Sequence, residues 1–160
     1  MSSGASASEP AWAAAGRILA LDLGEKRIGV AVSDEGRSLA RSLTTLKRKS
    51  RLEDFERLGR LAREQGATLI VVGLPLLPSG EEGEKAAWVR DYSGDLARHV
   101  ALPVALWDES YSTVRAEDSL RERGIHGKRR RQRVDAAAAA FILQSYLHAQ
   151  TAGNGAEGQV

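Results

Sequence analysis

Residues 17–34, RILALDLGEKRIGVAVSD, decide the predicted fold class. Arg17–Leu23 has the alternation of a strand, residues 24–26 are a turn signal, and Arg27–Asp34 is predicted to be a second strand. A further short turn leads into a third strand, predicted at Ser38–Leu46. We therefore expect the chain to open with three antiparallel strands joined by short turns.

Downstream of this meander, helical and strand patterns alternate. Apolar residues at helical spacing predict a helix from Leu52 to Gly66 and a second helix at Glu84–Val100. Two short apolar runs are typical of parallel strands that are buried on both faces, Thr68–Gly73 and Pro103–Trp107. Two more helices are predicted, one at Ser112–Arg123 and one that begins between residues 129 and 135 and ends near Gln150. The order β-β-β-α-β-α-β-α-α predicts an α/β fold, a mixed five-stranded sheet with helices on both faces.

Composition and length indicate one globular domain in a chain of 160 residues. We expect this domain at residues 17–150, between flexible tails at residues 1–16 and 151–160. The absence of cysteine excludes a disulfide scaffold, a thiol nucleophile and a Cys-ligated metal site, and the three scattered histidines argue against a His-built one. No secretory signal pattern or long apolar run is present, so the expected location is cytoplasmic.

Three acidic residues are candidates for catalysis. Asp22 interrupts an apolar strand, Glu109 follows a buried strand, and Asp135 begins the alanine-rich part of the last helix. In open α/β sheets, ligands bind at the carboxyl ends of strands, where the first two of these acids lie. Asp108 precedes Glu109, and the alternation of strand side chains directs it to the opposite face.

Each acid also has a purely structural interpretation. Asp22 could accept hydrogen bonds from turn amides or pair with Lys26 or Arg27. Glu109 could belong to an exposed loop, and Asp135 could cap the N-terminus of the last helix. The sequence alone leaves these alternatives open for each residue taken singly.

Basic residues are concentrated in two segments. Residues 37–63 contain nine basic and three acidic side chains, and residues 121–133 contain seven basic and one acidic, in a chain whose net charge is only +2. Such segments are typical of phosphate-binding surfaces, although a solvated helix face and an unpartnered basic loop are the alternatives. Taken together, the acids and the basic segments favour metal-assisted phosphodiester hydrolysis, in which carboxylates hold Mg²⁺ or Mn²⁺ and basic residues bind phosphates.

Four motifs in the same order resemble the YqgF/RuvX family, RNase H-like proteins described as pre-16S rRNA nucleases and as Holliday-junction-resolvase-like. The motifs span about residues 17–150 and are as follows: ALDLGEKRIGVA at 20–31, VGLP at 72–75, WDE at 107–109 with Ser112-Thr113, and VDAAA at 134–138 with Ile142-Leu143-Gln144. Two departures from the family pattern stand out. Ser110 replaces a common arginine, and residues 76–79, LLPS, replace a more polar loop.

The resemblance implies an RNase H-like fold and a divalent-metal-dependent nuclease that processes the 5′ end of pre-16S rRNA during ribosome biogenesis. It implies that Asp22, Glu109 and Asp135 are the catalytic and Mg²⁺- or Mn²⁺-binding residues. The nucleic-acid-binding residues that it implies are Lys26, Arg27, Lys128, Arg129, Arg130, Arg131 and Arg133. Partners would be structured RNA or branched DNA and no membrane, with the protein a monomer or a homodimer.

Three other functions are consistent with parts of the pattern. A Holliday-junction-resolvase-like DNA nuclease would use the same acids, and a non-cleaving nucleic-acid-binding module would use only the basic segments. An ATPase of the actin or sugar-kinase type uses a similar Asp-x-Gly strand–turn–strand. That class normally needs a second domain and a glycine-rich adenosine site, which this chain is too short to contain.

Overall fold

The computed structural model describes residues 15–109, 127–151 and 158–159, and it defines side chains for residues 15–109 and 135–151. The predicted helix Ser112–Arg123 and residue Ser110 lie outside this part of the chain. So do residues 1–14, 152–157 and 160 of the two predicted tails.

Strands of the described chain form one mixed sheet. Their bounds are β1 Arg17–Leu23, β2 Arg27–Ser33, β3 Ala40–Lys47, β4 Ala67–Leu74, β5 Val104–Asp108 and β6 Gly158–Gln159. The order across the sheet is β3-β2-β1-β4-β5-β6. β1, β2 and β3 are antiparallel, β4 and β5 run parallel to β1, and β6 pairs antiparallel with β5. The predicted mixed five-stranded sheet is confirmed, and the two-residue β6 extends it at one edge.

Helices cover both faces of the sheet. Their bounds are α1 Arg51–Gln65, α2 Glu84–Val100 and α3 Gly127–Thr151. Apolar side chains of α1 and α2 pack with one face of the sheet, and those of α3 pack with the other face. Because side chains alternate along a strand, Leu19 and Leu21 face α1 and α2, whereas Ile18 and Ala20 face α3. α3 crosses β1, β2 and β3.

The ends of α1 show why its limits were predictable from the sequence. The Ser50 hydroxyl accepts a hydrogen bond from the Glu53 amide at 3.1 Å, and it donates to the Glu53 carboxylate at 3.0 Å. Ser50 is thus the N-cap of α1: its hydroxyl satisfies one of the amides that the first helical turn leaves free, and the Glu53 carboxylate holds that hydroxyl in place. At the other end, Gly66 has the left-handed φ of 67° that favours glycine after a helix.

Small differences from the predicted boundaries have local causes. β3 begins at Ala40 rather than Ser38, because the Asp34 carboxylate accepts hydrogen bonds from the Ser38 and Leu39 amides and holds both in the preceding turn. β5 begins after Pro103, which has no amide hydrogen to donate to a sheet. None of the helices among the described residues combines the length and apolar character that a membrane span requires.

Candidate active site

Asp22 and Glu109 come together at the carboxyl ends of the central strands. Asp22 lies on β1 opposite Gly29 of β2, and strand alternation places its side chain on the face that α3 covers. Glu109 directly follows β5, and its amide donates a hydrogen bond to the Leu74 carbonyl at the end of β4. This bond fixes the chain where β5 ends, so that the Glu109 side chain turns towards β1.

Gly73 provides the space for this meeting. A Cβ atom at Gly73 would lie 2.7 Å from the Glu109 Oε2 atom and 2.6 Å from the Ile142 Cδ1 atom. Both distances are shorter than a van der Waals contact, so a side chain at this position would displace Glu109 or α3. The glycine of β4 is therefore a spacer that allows the Glu109 carboxylate to lie across the sheet between β5 and β1.

The pKa values of the two acids reflect their burial and their closeness to each other. Burial is the main cause that raises the pKa of Asp22 well above its ordinary value, and the charge and hydrogen bond of Glu109 and the charge of Asp135 raise it further. Burial also raises the pKa of Glu109, although the hydrogen bond with Asp22 and the charge of Lys85 oppose this effect. Two carboxylates in a partly desolvated site do not ionise independently, and the pair favours retaining a proton.

Asp135 contributes to the same region but has its own partner. Its Oδ2 atom accepts a hydrogen bond from Arg27 Nε at 2.7 Å, and both side chains are about three-quarters buried. A Cβ atom at Gly29 would lie 1.9 Å from the Asp135 carbonyl oxygen, so the absence of a side chain there lets α3 approach β2. Gly29 is thus the second spacer of the site.

The position of Asp135 excludes one interpretation of the sequence. Because α3 begins at Gly127, Asp135 lies two turns inside the helix and does not cap its N-terminus. The same finding places residues 128–133 within a helix rather than in a loop.

The carboxylate oxygens of this region fit a divalent cation only in part. The Glu109 Oε2 atom is buried and accepts no hydrogen bond from the described residues. An acceptor left without a donor is costly, and a hard cation is one way of satisfying a carboxylate oxygen. Within residues 15–109 and 135–151, however, no three acidic or histidine side chains converge closely enough to hold one metal ion. The geometry brings two of the three predicted acids together and leaves the third paired with Arg27.

A lysine that the sequence did not single out faces the acid pair. The positive charge of Lys85, in the first turn of α2, lowers the pKa of both Asp22 and Glu109. Lys85 lies in the acidic stretch 79–95, which carries no phosphate-binding pattern. The signal that could have revealed it is topological, because the start of α2 follows the carboxyl end of β4.

At the same edge of the sheet as the acids, a cleft of about 470 Å³ opens between the β1–β2 turn and α2. Its lining residues are Gly24, Glu25, Arg48, Glu84, Lys85 and Trp88. The guanidinium of Arg48 donates hydrogen bonds to the carbonyl oxygens of Gly24 and Glu25 at 3.1 and 3.0 Å. It therefore holds the turn that follows the Asp22 strand.

With this geometry in place, comparison with known proteins identifies the family. Residues 16–149 match the RuvX family, which is described as Holliday junction resolvase. The chain belongs to the RuvX family. A Symbiobacterium thermophilum relative named "Putative pre-16S rRNA nuclease" is 45% identical over 136 residues, which cover 85% of this chain and 94% of that protein. A relative of the same name from Anaeromyxobacter sp. (strain K) is 44% identical over 131 residues, covering 82% and 96%.

Solved structures share the fold of this RuvX protein at low sequence identity. Thermus thermophilus RuvC in complex with a Holliday junction substrate has a TM-score of 0.54 at 17% identity, covering 91% of this chain and 99% of that one. Fowlpox virus resolvase in complex with Holliday junction DNA has a TM-score of 0.53 at 10% identity, covering 84% and 98%. The predicted RNase H-like fold is confirmed.

The predicted nucleic-acid-binding residues of the RuvX protein have different placements. Lys26 is exposed in the β1–β2 turn, whereas Arg27 is the partner of Asp135. The remaining residues of this set lie where α3 is described without side chains, and they are Lys128, Arg129, Arg130, Arg131 and Arg133.

Several arginines of the basic segment 37–63 have partners within the protein, so the segment is not a uniformly free basic surface. Arg37 is buried and donates to the carbonyl of Gly16 and the hydroxyl of Thr68. Arg51 pairs with two aspartates of α2, and Arg57 pairs with the buried Asp54. Arg51 and Arg57 therefore neutralise neighbouring or buried acids, and Arg37 holds backbone and hydroxyl groups near the start of β1 and β4.

Proposed function

We propose that this RuvX protein is a divalent-metal-dependent nuclease that cleaves phosphodiester bonds of structured RNA, with pre-16S rRNA as its substrate. The observation that carries the proposal is the meeting of Asp22 and Glu109, two carboxylates with raised pKa values, at the carboxyl ends of the central strands. The names of relatives at 44–45% identity support the choice of substrate.

The two acids fit a divalent cation, Mg²⁺ or Mn²⁺, because they provide hard oxygen ligands, one of which is buried and receives no hydrogen bond from the part of the chain that the structure describes. Asp22 and Glu109 would hold it, and Asp135 would be the third ligand. When bound, such a cation activates water for attack and stabilises the charge of the leaving oxygen.

Residues of the chain itself have three roles in this proposal. Lys85 and Arg27 bring positive charge to the edge of the acid pair, where a phosphodiester must approach. Arg27 can exchange its ion pair with Asp135 for one with a substrate phosphate, which would release the Asp135 carboxylate. The raised pKa values of the acid pair favour a retained proton, which binding of a cation would displace.

Branched DNA is the second candidate substrate, because the family description names Holliday junction resolution. The test incubates the purified protein with a pre-16S rRNA fragment and with a four-way DNA junction, each in Mg²⁺, Mn²⁺ or EDTA. We expect cleavage of the RNA precursor that EDTA abolishes. Loss of cleavage in both Asp22→Asn and Glu109→Gln would confirm the site, whereas a milder effect is expected for Asp108→Asn.

Cleavage of the four-way DNA junction but not of the RNA would mean that branched DNA is the substrate. Binding of either nucleic acid without cleavage in any metal would contradict it and would favour a non-cleaving binding module.

A further inference from the structure

We propose that the cleft beside the acid pair binds an unpaired nucleotide of the substrate next to the phosphate that is cut. In this subsite, Lys85 contacts the backbone phosphate, and the Arg48–Trp88 pair contacts the base. The inference rests on the proposed nuclease function and adds a requirement that the function alone does not contain, namely a single-stranded position at the cleavage site.

The location of the cleft connects it to the chemistry. Lys85 lines the cleft and also lies close enough to Asp22 and Glu109 to lower the pKa of both. The opposite wall is the turn at Gly24 and Glu25, which begins two residues after Asp22. The acid side chains lie on the α3 face and the cleft lies against α2, so Lys85 and the turn after Asp22 are what connect the two at this edge of the sheet. A strand that crosses this edge with its scissile phosphate at the acids would place a neighbouring nucleotide at the cleft.

The wall formed by Arg48 and Trp88 is suited to an aromatic base. The Arg48 guanidinium carbon lies 4.6 Å from the centre of the Trp88 ring, in a cation–π contact. Trp88 follows Lys85 by three residues, so both side chains lie on the same face of α2. Flat π systems and guanidinium planes are the surfaces on which unpaired bases stack, and a base within a duplex does not offer its face to them.

This wall is held in place before any ligand arrives. Arg48 is bound by two carbonyl oxygens of the turn, and its Nε lies 3.9 Å from the fully buried Asp54 carboxylate. The Arg48 Nε atom is itself buried, and none of the described side chains or carbonyls accepts a hydrogen bond from it. An arginine restrained on several sides loses little conformational freedom when a ligand binds, which favours a specific contact.

The charges of the cleft indicate what occupies it. Lys85 and Arg48 are opposed by Glu25 and Glu84, so the lining side chains carry no net charge. A groove that followed a run of phosphates would be strongly positive. This lining suits one phosphate at the Lys85 end and a neutral base elsewhere, whose amino groups can donate hydrogen bonds to a carboxylate. The volume of about 470 Å³ is within the range of sites for small ligands.

The test measures binding to two probes, without cleavage, in Ca²⁺. One probe is a blunt RNA duplex, and the other is the same duplex with a short single-stranded tail that contains 2-aminopurine beside the junction. We expect the protein to bind the tailed probe more tightly and to quench its fluorescence, because stacking quenches 2-aminopurine. Trp88→Leu should weaken binding of the tailed probe by about ten- to a hundredfold and relieve the quenching, with no effect on the blunt duplex.

Two further variants make the result specific. Trp88→Phe retains an aromatic ring and should restore most of the quenching, which a purely structural role of Trp88 would not require. Lys85→Gln should lower the slope of log affinity against log salt by about 0.7–0.9, the value for one phosphate contact. Arg98→Gln is the charge-matched control, because Arg98 is exposed and lies 13 residues further along α2.

Equal affinity for both probes, or quenching that Trp88→Leu leaves intact in a folded protein, would overturn the subsite while leaving the nuclease function untouched. Failure to bind either probe would instead contradict the proposed function and, with it, the subsite.

Discussion

The substitution Asp22→Asn separates a catalytic role of this carboxylate from a structural one, because it removes the charge and preserves the shape. In the unfolded chain Asp22 ionises near its ordinary pKa of 3.8, whereas in the folded protein burial and the neighbouring acids raise its pKa well above that value. Between these two values the folded state binds more protons than the unfolded state. Stability therefore falls as the pH rises through this window, and the loss is complete above the folded pKa.

The size of the effect follows from linkage. Each unit by which the folded pKa exceeds the unfolded one costs about 1.4 kcal/mol at high pH. The variant escapes this cost, and its amide can donate a hydrogen bond to the neighbouring Glu109 carboxylate. We expect Asp22→Asn to be more stable than the wild type by about 1–2 kcal/mol at pH 8 in EDTA, a typical gain where a functional site holds strain. At about 2–4 °C per kcal/mol for a chain of this size, the Tm should rise by about 2–8 °C.

Thermal melts between pH 4 and pH 8.5, in EDTA and in Mn²⁺, provide the measurement. The stabilisation should shrink towards zero at pH 4, and Mn²⁺ should raise the Tm of the wild type more than that of the variant. Asp135→Asn is the matched control. The Asp135→Asn variant loses the ion pair with Arg27. Because this ion pair is only partly exposed, the variant should be less stable than the wild type at pH 8 by about 0.5–1 kcal/mol.

The reasoning would be refuted if Asp22→Asn were destabilised in EDTA by about 1–3 kcal/mol at every pH, with the Mn²⁺ response unchanged. That outcome would mean that the Asp22 carboxylate accepts structural hydrogen bonds that an amide cannot replace.

Three further substitutions have expected outcomes. Gly73→Ala should displace the Glu109 carboxylate and abolish cleavage, and urea unfolding should show a loss of stability of about 1–3 kcal/mol; full activity would show that the glycine is no spacer. Arg27→Gln should free the Asp135 carboxylate and tighten Mn²⁺ binding measured without nucleic acid, while an unchanged affinity would exclude Asp135 as a ligand. Asp54→Asn should cost about 3 kcal/mol in urea unfolding, because the buried carboxylate pairs with Arg57; near-neutral stability would contradict that assignment.

The central strands and the first two acids were predictable because strand alternation is a local rule. Asp22 shares its face with Ile18 and Ala20, and Glu109 shares the face of Ala105 and Trp107, which pack against α3. A reader of the sequence can therefore place both carboxylates on one side of the sheet. Their meeting depends only on the parallel order of neighbouring strands.

The positions of Asp135 and Lys85 were harder to predict, because they depend on how helices cross the sheet. The ion pair between Arg27 and Asp135 joins residues 108 positions apart, and α3 reaches it only because Gly29 lets the helix approach. The sequence predicted the start of α3 between residues 129 and 135, which is later than its start at Gly127. Lys85 is one cation in an acidic stretch, and only the tertiary structure shows that it faces the acids.

Calorimetric titration of Mn²⁺ into the protein at pH 7.5 tests most directly whether Asp22 and Glu109 form a cation site. We predict that the wild type binds Mn²⁺ and that Asp22→Asn and Glu109→Gln each weaken binding by at least about tenfold, with release of a proton in the wild type only. Asp108→Asn should leave the affinity close to that of the wild type. Equal Mn²⁺ binding by the wild type and the Glu109→Gln variant would contradict the assignment of this pair as the catalytic centre.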